Sequence, residues 1–413
     1  MQFTLRTAGQ MIFGRGEVRR APELVAGLGR RVLLVTGGSS LERSGQLARL
    51  QDGLAERGLQ PVRWKVEHEP DVAQVDAAAA LCREAGCDVV LAVGGGSVLD
   101  VGKAAAALAQ NPGSVLDYLE DIGRGPPRAL TRAPLPVVAA PTTSGSGSES
   151  TRNSVVRVPE LAVKRSMRGD ALLPRVALVD PDLSAGAPLP VQAAAGLDAL
   201  THLIEGYVSR GAQPTTDALA LRGLGLAARA LTAIAERAKG RGGPGADAAA
   251  EGDVDGDDDV HAAMALASLW GGIVLANAGL GAVHGLVAPL GGQCQVAHGD
   301  GCACLLPATL VTNVRALRER APGHPALPRY REIIELLCRD DATALEQGAE
   351  RAAERLDTLR RDLGVRSLSA QGVSSAHLGP IIAQSRGGSM KFNPIELHDR
   401  ELEKILEAAL AAS

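Results

Sequence analysis

The run DVVLAVGGGSVLDVGK, residues 88–103, decides the fold, because it passes from an apolar, β-branched strand through three glycines into a helix. Strand, glycine turn and helix in that order form the building unit of a parallel α/β sheet. Gly94, Gly95 and Gly96 let backbone N–H groups approach an anion, and Ser97 is expected to cap a helix whose N-terminal dipole favours phosphate. Asp100 and Lys103 follow within the first turns. The spacing is neither the Walker pattern nor GxGxxG, and a plain tight turn would use the same glycines.

The same alternation extends on both sides. RVLLVTGG (31–38), QPVRWKV (60–66), PLPVVAAPTT (134–143) and RVALVDP (175–181) read as further strands with helical stretches between them. A second loop, APTTSGSGSES (140–150), leaves the carboxyl end of one of them. It sets Thr142, Thr143, Ser144 and Ser146 beside glycines, which suits hydrogen bonding to phosphate or ribose, although a Ser/Gly linker has the same composition. Both loops lie where open α/β sheets bind nucleotides. After Pro181 the strand signal fades into Ala- and Leu-rich helix, so the expected division is 1–181, a dinucleotide-binding α/β domain, and 182–413, a helical domain.

The chain of 413 residues has room for two or three cores. With 46% hydrophobic, 22% charged and only 2% aromatic residues, it reads as globular, with a core built from Ala, Val and Leu. A formal charge of −4 provides no basic field for nucleic acid. The N-terminus lacks the pattern of a secretory signal, and six scattered cysteines form no disulfide framework, which together fit a reducing cytoplasm. Residues 262–283 carry no charge and could span a bilayer by length, but their Ala, Gly and Asn277 content suggests one helix buried on all sides, so no membrane partner is expected. Residues 239–259 are Gly-rich and acidic and read as an exposed loop.

The helical half holds the candidate chemistry. GLDALTHLIEGYVS (196–209) has an apolar face and a second stripe of Asp198, His202, Glu205 and Ser209. Groups four apart can grip one cation, while a helix-dipole Asp and a hydrogen-bonded core His are the bland alternative. Downstream, His284 and His298 flank a Gly/Pro break, so neighbouring helices could each present an imidazole. Three nitrogens and one carboxylate suit Fe(II), Zn(II), Co(II) or Ni(II) better than Mg or Ca. Cys294, His298, Cys302 and Cys304 form a rival zinc set, but its spacing matches no usual zinc module, so buried free thiols are the expected reading.

GGGSVLDVGK, PTTSGSGSES, the DALTH of Asp198 to His202, and the paired His284 and His298 together resemble the iron-containing (group III) alcohol dehydrogenases, in the family's order and across most of the chain. The resemblance implies the dehydroquinate synthase-like fold, a Rossmann-like parallel sheet followed by an all-α domain. It implies that Asp198, His202, His284 and His298 hold a divalent metal, with Fe(II) the first expectation and Zn(II) the alternative. Gly94, Gly95, Gly96, Ser97 and Asp100 would cradle a dinucleotide pyrophosphate, Thr142, Thr143 and Ser146 would form the second nucleotide loop, and Lys164 would contact the ribose. The implied reaction is hydride transfer between nicotinamide and a small alcohol or aldehyde whose oxygen a metal polarises. A homo-oligomer, dimer or larger, is implied as well.

Two departures from that family stand out. Ala288 replaces a proton-relaying His four residues after His284. Gly37, Gly38 and Ser39 replace an Asp that would repel a 2′-phosphate, so NADP(H) is expected over NAD(H). Maleylacetate reductase-like or glycerol dehydrogenase-like chemistry, or a catalytically weak dinucleotide-binding protein, are the competing readings.

Overall fold

The computed structural model describes residues 2–240, 259–338 and 344–411, so most of the expected loop 239–259 lies outside the described residues. The chain forms two compact units, Arg6–Ala187 and a second built on Pro188–Ser413.

The first unit contains strands β1 (Gln10–Phe13), β2 (Arg31–Thr36), β3 (Gln60–Lys65), β4 (Val89–Gly94), β5 (Val137–Pro141), β6 (Asn153–Val158), β7 (Val163–Arg168) and β8 (Val176–Val179). Six of them form one parallel sheet in the order β1-β8-β5-β4-β2-β3. Parallel strands are covered on both faces and therefore read as unbroken apolar runs. In β4 every residue is buried. The pleat divides them, with Leu33, Val35, Val90 and Ala92 in one core and Val32, Leu34, Leu91 and Val93 in the other. Each buried Val or Leu among them contributes roughly 1.5–3 kcal/mol.

The helix Gly96–Gln110 lies on the first of these faces through Ala104, Ala105, Ala106 and Ala107, all fully buried. Its Gly102 comes so near the sheet that a Cβ there would sit 2.8 Å from Cβ of Ala92. Small residues thus bring helix and sheet together, which is how a chain with few aromatics fills this core. The order in which strands are added reverses at β2, with β3 on one side of it and β4 on the other, and the loops leaving β2 and β4 flank that switch, where doubly wound sheets open a crevice.

β1 and the antiparallel hairpin of β6 and β7 were not among the strands read from sequence. β1 is four residues long and pairs on one side only, while β6 alternates half-buried and buried positions with polar side chains.

The second unit is built of helices and their connecting loops, with no strand among its described residues. Its main helices are Leu189–Val208, Pro214–Ala238, Val260–Ala278, Ala282–Cys294, His298–Arg320, Ala326–Cys338, Leu345–Asp362 and Asp399–Ala411. The uncharged segment 262–283 is not one helix. It stops at Ala278, Gly279 takes φ +72°, and the next helix starts at Ala282. A Cβ at Gly279 would lie 2.6 Å from Cγ of Phe392, so both the turn and the close approach require glycine. Pro214–Ala238 and Val260–Ala278 are long and apolar enough to cross a bilayer by length and composition. Within this unit 50% and 67% of their apolar windows are buried, and Leu224, Leu231, Met264 and Val274 belong to its shared core.

Candidate active site

The helix Leu189–Val208 starts well before Gly196, so Asp198 lies mid-helix, away from the N-terminal dipole that the bland reading invoked. Asp198 and His202, one turn apart, face the same way. His284 stands in the first turn of Ala282–Cys294, and His298 is the first residue of His298–Arg320. The break between these helices is made by Gln295, at φ +57°, and the extended Ala297; Pro289 sits inside the preceding helix.

The three helices bring all four residues to one carboxylate oxygen. From Asp198 Oδ1 the Nε2 atoms of His202, His284 and His298 lie 3.6, 3.4 and 3.6 Å away. Cys302 Sγ lies 3.4 Å from the same oxygen and 3.8 Å from His284 Nε2. The ligand atoms of Asp198, His284, His298 and Cys302 all fall within 4.8 Å of one another. The imidazole of His202 stacks on that of His284 with centroids 4.8 Å apart. Such N–O separations are long for hydrogen bonds but match the edges of a tetrahedron, roughly 3.3–3.7 Å, around an ion with ordinary bond lengths. The donor set therefore fits a first-row divalent metal.

Glu205, on the same polar stripe, supplies what the sequence did not specify. Its Oε2 accepts from His284 Nδ1 at 2.7 Å and its Oε1 accepts from the Val283 N–H at 2.7 Å. With the proton on Nδ1, the Nε2 lone pair of His284 is left facing Asp198, the tautomer that a metal ligand needs. Asp198, His202, Glu205 and His284 are buried, whereas the His298 side chain is 41% exposed and forms the open side of the cluster.

Burial alone would raise the Asp198 carboxyl, but the imidazoles of His202, His298 and His284 outweigh it and hold it well below the usual carboxylate range. Burial likewise opposes charge on His284, and Cys302, Asp198 and Glu205 together raise it well above the usual imidazole value. Burial and Asp198 push the Cys302 thiol up to about 12 against the opposing His284. Negative groups around a shared point are what a cation would relieve.

The rival cysteine set divides in the structure. Cys302 belongs to the Asp/His cluster, whereas Cys304 donates its thiol proton to the Arg366 carbonyl at 3.3 Å. Ala288 is half-buried on Ala282–Cys294 and brings no polar side chain.

In the α/β unit the two sequence loops meet. The Thr142 N–H donates to the Gly94 carbonyl at 2.9 Å, and a Cβ on Gly96 would stand 2.7 Å from Ser146 Oγ. Gly95 and Thr143 are close neighbours in the same way, and Val98 packs near both Gly94 and Gly37. The helix cap is Gly95 and not Ser97, because the helix already begins at Gly96; Ser97 lies in its first turn, where N–H groups lack intrahelical partners.

Asp100 is turned inward. It accepts from Ser148 Oγ at 2.6 Å and from the Val155 N–H at 2.9 Å, and it pairs with Lys103 Nζ at 3.2 Å. It ties the glycine-loop helix to the second loop and to β6. Lys164, on β7, pairs with Glu69 at 2.7 Å. Gly37, Gly38 and Ser39 follow β2, and the Arg43 guanidinium donates to Ser39 Oγ. Arg63 bonds Thr36 Oγ1 at 2.9 Å and Glu42 at 2.7 Å beside the same strand end.

Comparison with known proteins gives a consistent result. The family model described as iron-containing alcohol dehydrogenase matches residues 8–181, and that for the C-terminal part of the Fe-containing alcohol dehydrogenase family matches residues 192–410. The chain is 34% identical to long-chain-alcohol dehydrogenase 1 of Geobacillus thermodenitrificans over 405 residues, 97% of this chain and 95% of that protein. It superposes on a crystal structure of a 1,3-propanediol oxidoreductase with a TM-score of 0.83 at 29% identity, covering 99% of this chain and 100% of the other. A sulfoacetaldehyde reductase from Bifidobacterium kashiwanohense, solved in complex with NAD+, superposes with a TM-score of 0.80 at 25% identity, covering 100% and 99%.

Proposed function

The chain belongs to the iron-containing alcohol dehydrogenase family and is a metal-dependent alcohol/aldehyde oxidoreductase; from that premise we propose that Asp198, His202, His284 and His298 hold the metal and that NADP(H) is the preferred nicotinamide cofactor. The observation that carries the metal reading is the convergence of three imidazoles on Asp198 Oδ1. When bound, a divalent ion supplies Lewis acidity and the nicotinamide supplies the hydride acceptor or donor.

The residues of the chain provide the rest. Asp198 balances the charge of a cation in a buried place, where an isolated ion would be costly. Glu205 fixes the ring of His284, and half-buried His298 borders the side from which a small alcohol or aldehyde can enter. Ala288 carries no titratable atom, so the proton lost by the alcohol passes to water or to another residue.

For the cofactor, the paired loops at Gly94–Ser97 and Thr142–Ser146, with Gly37, Gly38 and Ser39, form the dinucleotide site in this reading, with Lys164 at the ribose and 1–181 and 182–413 as the functional halves. The NADP(H) preference is supported by the missing carboxylate after β2 and by Arg43 at Ser39, where a guanidinium favours a 2′-phosphate. A soluble, cytoplasmic location is supported by cysteines that form no disulfide among the described residues and by burial of both long apolar helices in a helical core. A homo-oligomer is supported by β1, an edge strand with Met11 43% exposed.

The deciding experiment follows nicotinamide absorbance under anaerobic conditions with small aldehydes, with and without Fe(II) or Zn(II). Metal-dependent oxidation with kcat/KM at least about tenfold higher for NADPH than for NADH, a difference of ~1.4 kcal/mol, is expected. A higher value with NADH, as the NAD+ complex of the sulfoacetaldehyde reductase would suggest by analogy, overturns the cofactor assignment.

A further inference from the structure

We propose that Cys302 is a metal ligand of this centre, an alternative fourth donor to His202, so that a soft ion sits among oxygen, nitrogen and sulfur. The proposal rests on the reading of Asp198, His284 and His298 as ligands. Cys302 follows His298 by one turn of the helix His298–Arg320, so both side chains project from one face. Its Sγ is 3.4 Å from Asp198 Oδ1 and 3.8 Å from His284 Nε2. With bonds of roughly 2.0 Å to N or O and 2.3 Å to S, a tetrahedral ion places neighbouring donors about 3.3–3.7 Å apart. The sulfur stands at that spacing from Asp198, just beyond it from His284 and within 4.8 Å of the His298 ligand nitrogen, and it is fully buried.

Two overlapping donor sets result. Asp198, His284 and His298 are common to both, and the fourth place goes to the nitrogen of His202 or the sulfur of Cys302. Thiolate favours Zn(II) and Co(II) over harder Fe(II), so the sulfur set shifts the metal choice of this chain away from iron. Coordination replaces the S–H proton, which is released to solvent as the ion binds.

The test uses the full chain, stripped of metal and titrated anaerobically with cobalt(II). A thiolate-to-cobalt charge-transfer band in the near ultraviolet is expected in the wild type and in Cys304→Ser, whose thiol is engaged with the Arg366 carbonyl. Cys302→Ser is expected to lose that band, keep the visible bands of bound cobalt, and lower the Zn(II)-over-Fe(II) preference roughly 10- to 100-fold. Bound cobalt without the band in wild type, or an unchanged spectrum in Cys302→Ser, overturns the sulfur ligand and leaves the other ligands standing. Cobalt binding that survives Asp198→Ala unchanged overturns the underlying reading as well. Should Cys302→Ser not fold, presence or absence of the band in wild type and in Cys304→Ser still decides.

Discussion

Glu205 orients His284 in the proposed metal site without being one of its proposed ligands. Glu205→Gln keeps an acceptor for the Val283 N–H but replaces the charged partner of His284 Nδ1 with an amide, so the imidazole loses the charge that makes it a strong ligand. Metal affinity is expected to fall roughly 10- to 100-fold, read by competition with a chromogenic chelator. An unchanged affinity would mean that the hydrogen bond only packs the helix. Glu149 makes a second residue-scale prediction. Both of its carboxylate oxygens are buried with no hydrogen-bond partner in any other described residue, and burial, partly offset by its own backbone N–H and then by Lys103, pushes the group up to about 7. A carboxyl raised in the fold is protonated there while the unfolded chain is already ionised. Stability from this group is therefore full below about 4.5 and lost as pH rises to about 7. Glu149→Gln should flatten that loss, on the order of 3 kcal/mol, in denaturant midpoints taken at both ends of the window.

At the scale of elements, the two candidate nucleotide loops are fitted against one another, and Gly96 is the fitting point. Gly96→Ala would drive a methyl group to 2.7 Å from Ser146 Oγ and spread the loops. Nicotinamide dinucleotide binding is expected to weaken at least tenfold, about 1.4 kcal/mol, with metal content unchanged, measured by titration calorimetry and metal analysis. Equal affinity in the variant would remove the Gly94–Ser97 loop from the cofactor site. The same scale explains what could be read from sequence. β2, β4, β5 and β8 were legible because burial on both faces leaves apolar runs that little else produces. β1 was not, because four residues paired on one side carry almost no pattern. Segment 262–283 read as one helix because apolarity continues through Gly279, and only a positive φ marks the turn. Asp198 and His202 announced themselves by a spacing of four, and His284 and His298 by their flanking break. Cys302 entered only through the rival zinc set, since a buried thiol is ordinary and its approach to Asp198 spans 104 residues of chain.

Across the whole molecule, the candidate metal ligands all belong to the unit Pro188–Ser413, and the glycine and hydroxyl loops all belong to Arg6–Ala187. Metal at a hundredfold excess over its Kd should stabilise the helical unit by about 2.7 kcal/mol. Chelation is then expected to accelerate hydrogen exchange in Leu189–Val208, Ala282–Cys294 and His298–Arg320 while β2 and β4 stay protected. Equal loss in both units would contradict the assignment of the ligands to one of them. The pairing of β1 with β8, Gln10 beside Val176, bears on how the protein is made. At ribosomal rates of about 5–20 residues per second, β1 waits roughly 10–30 s after its own synthesis before its partner emerges. During that interval the strand has no neighbour, so this edge of the sheet is completed only after β8 has been made.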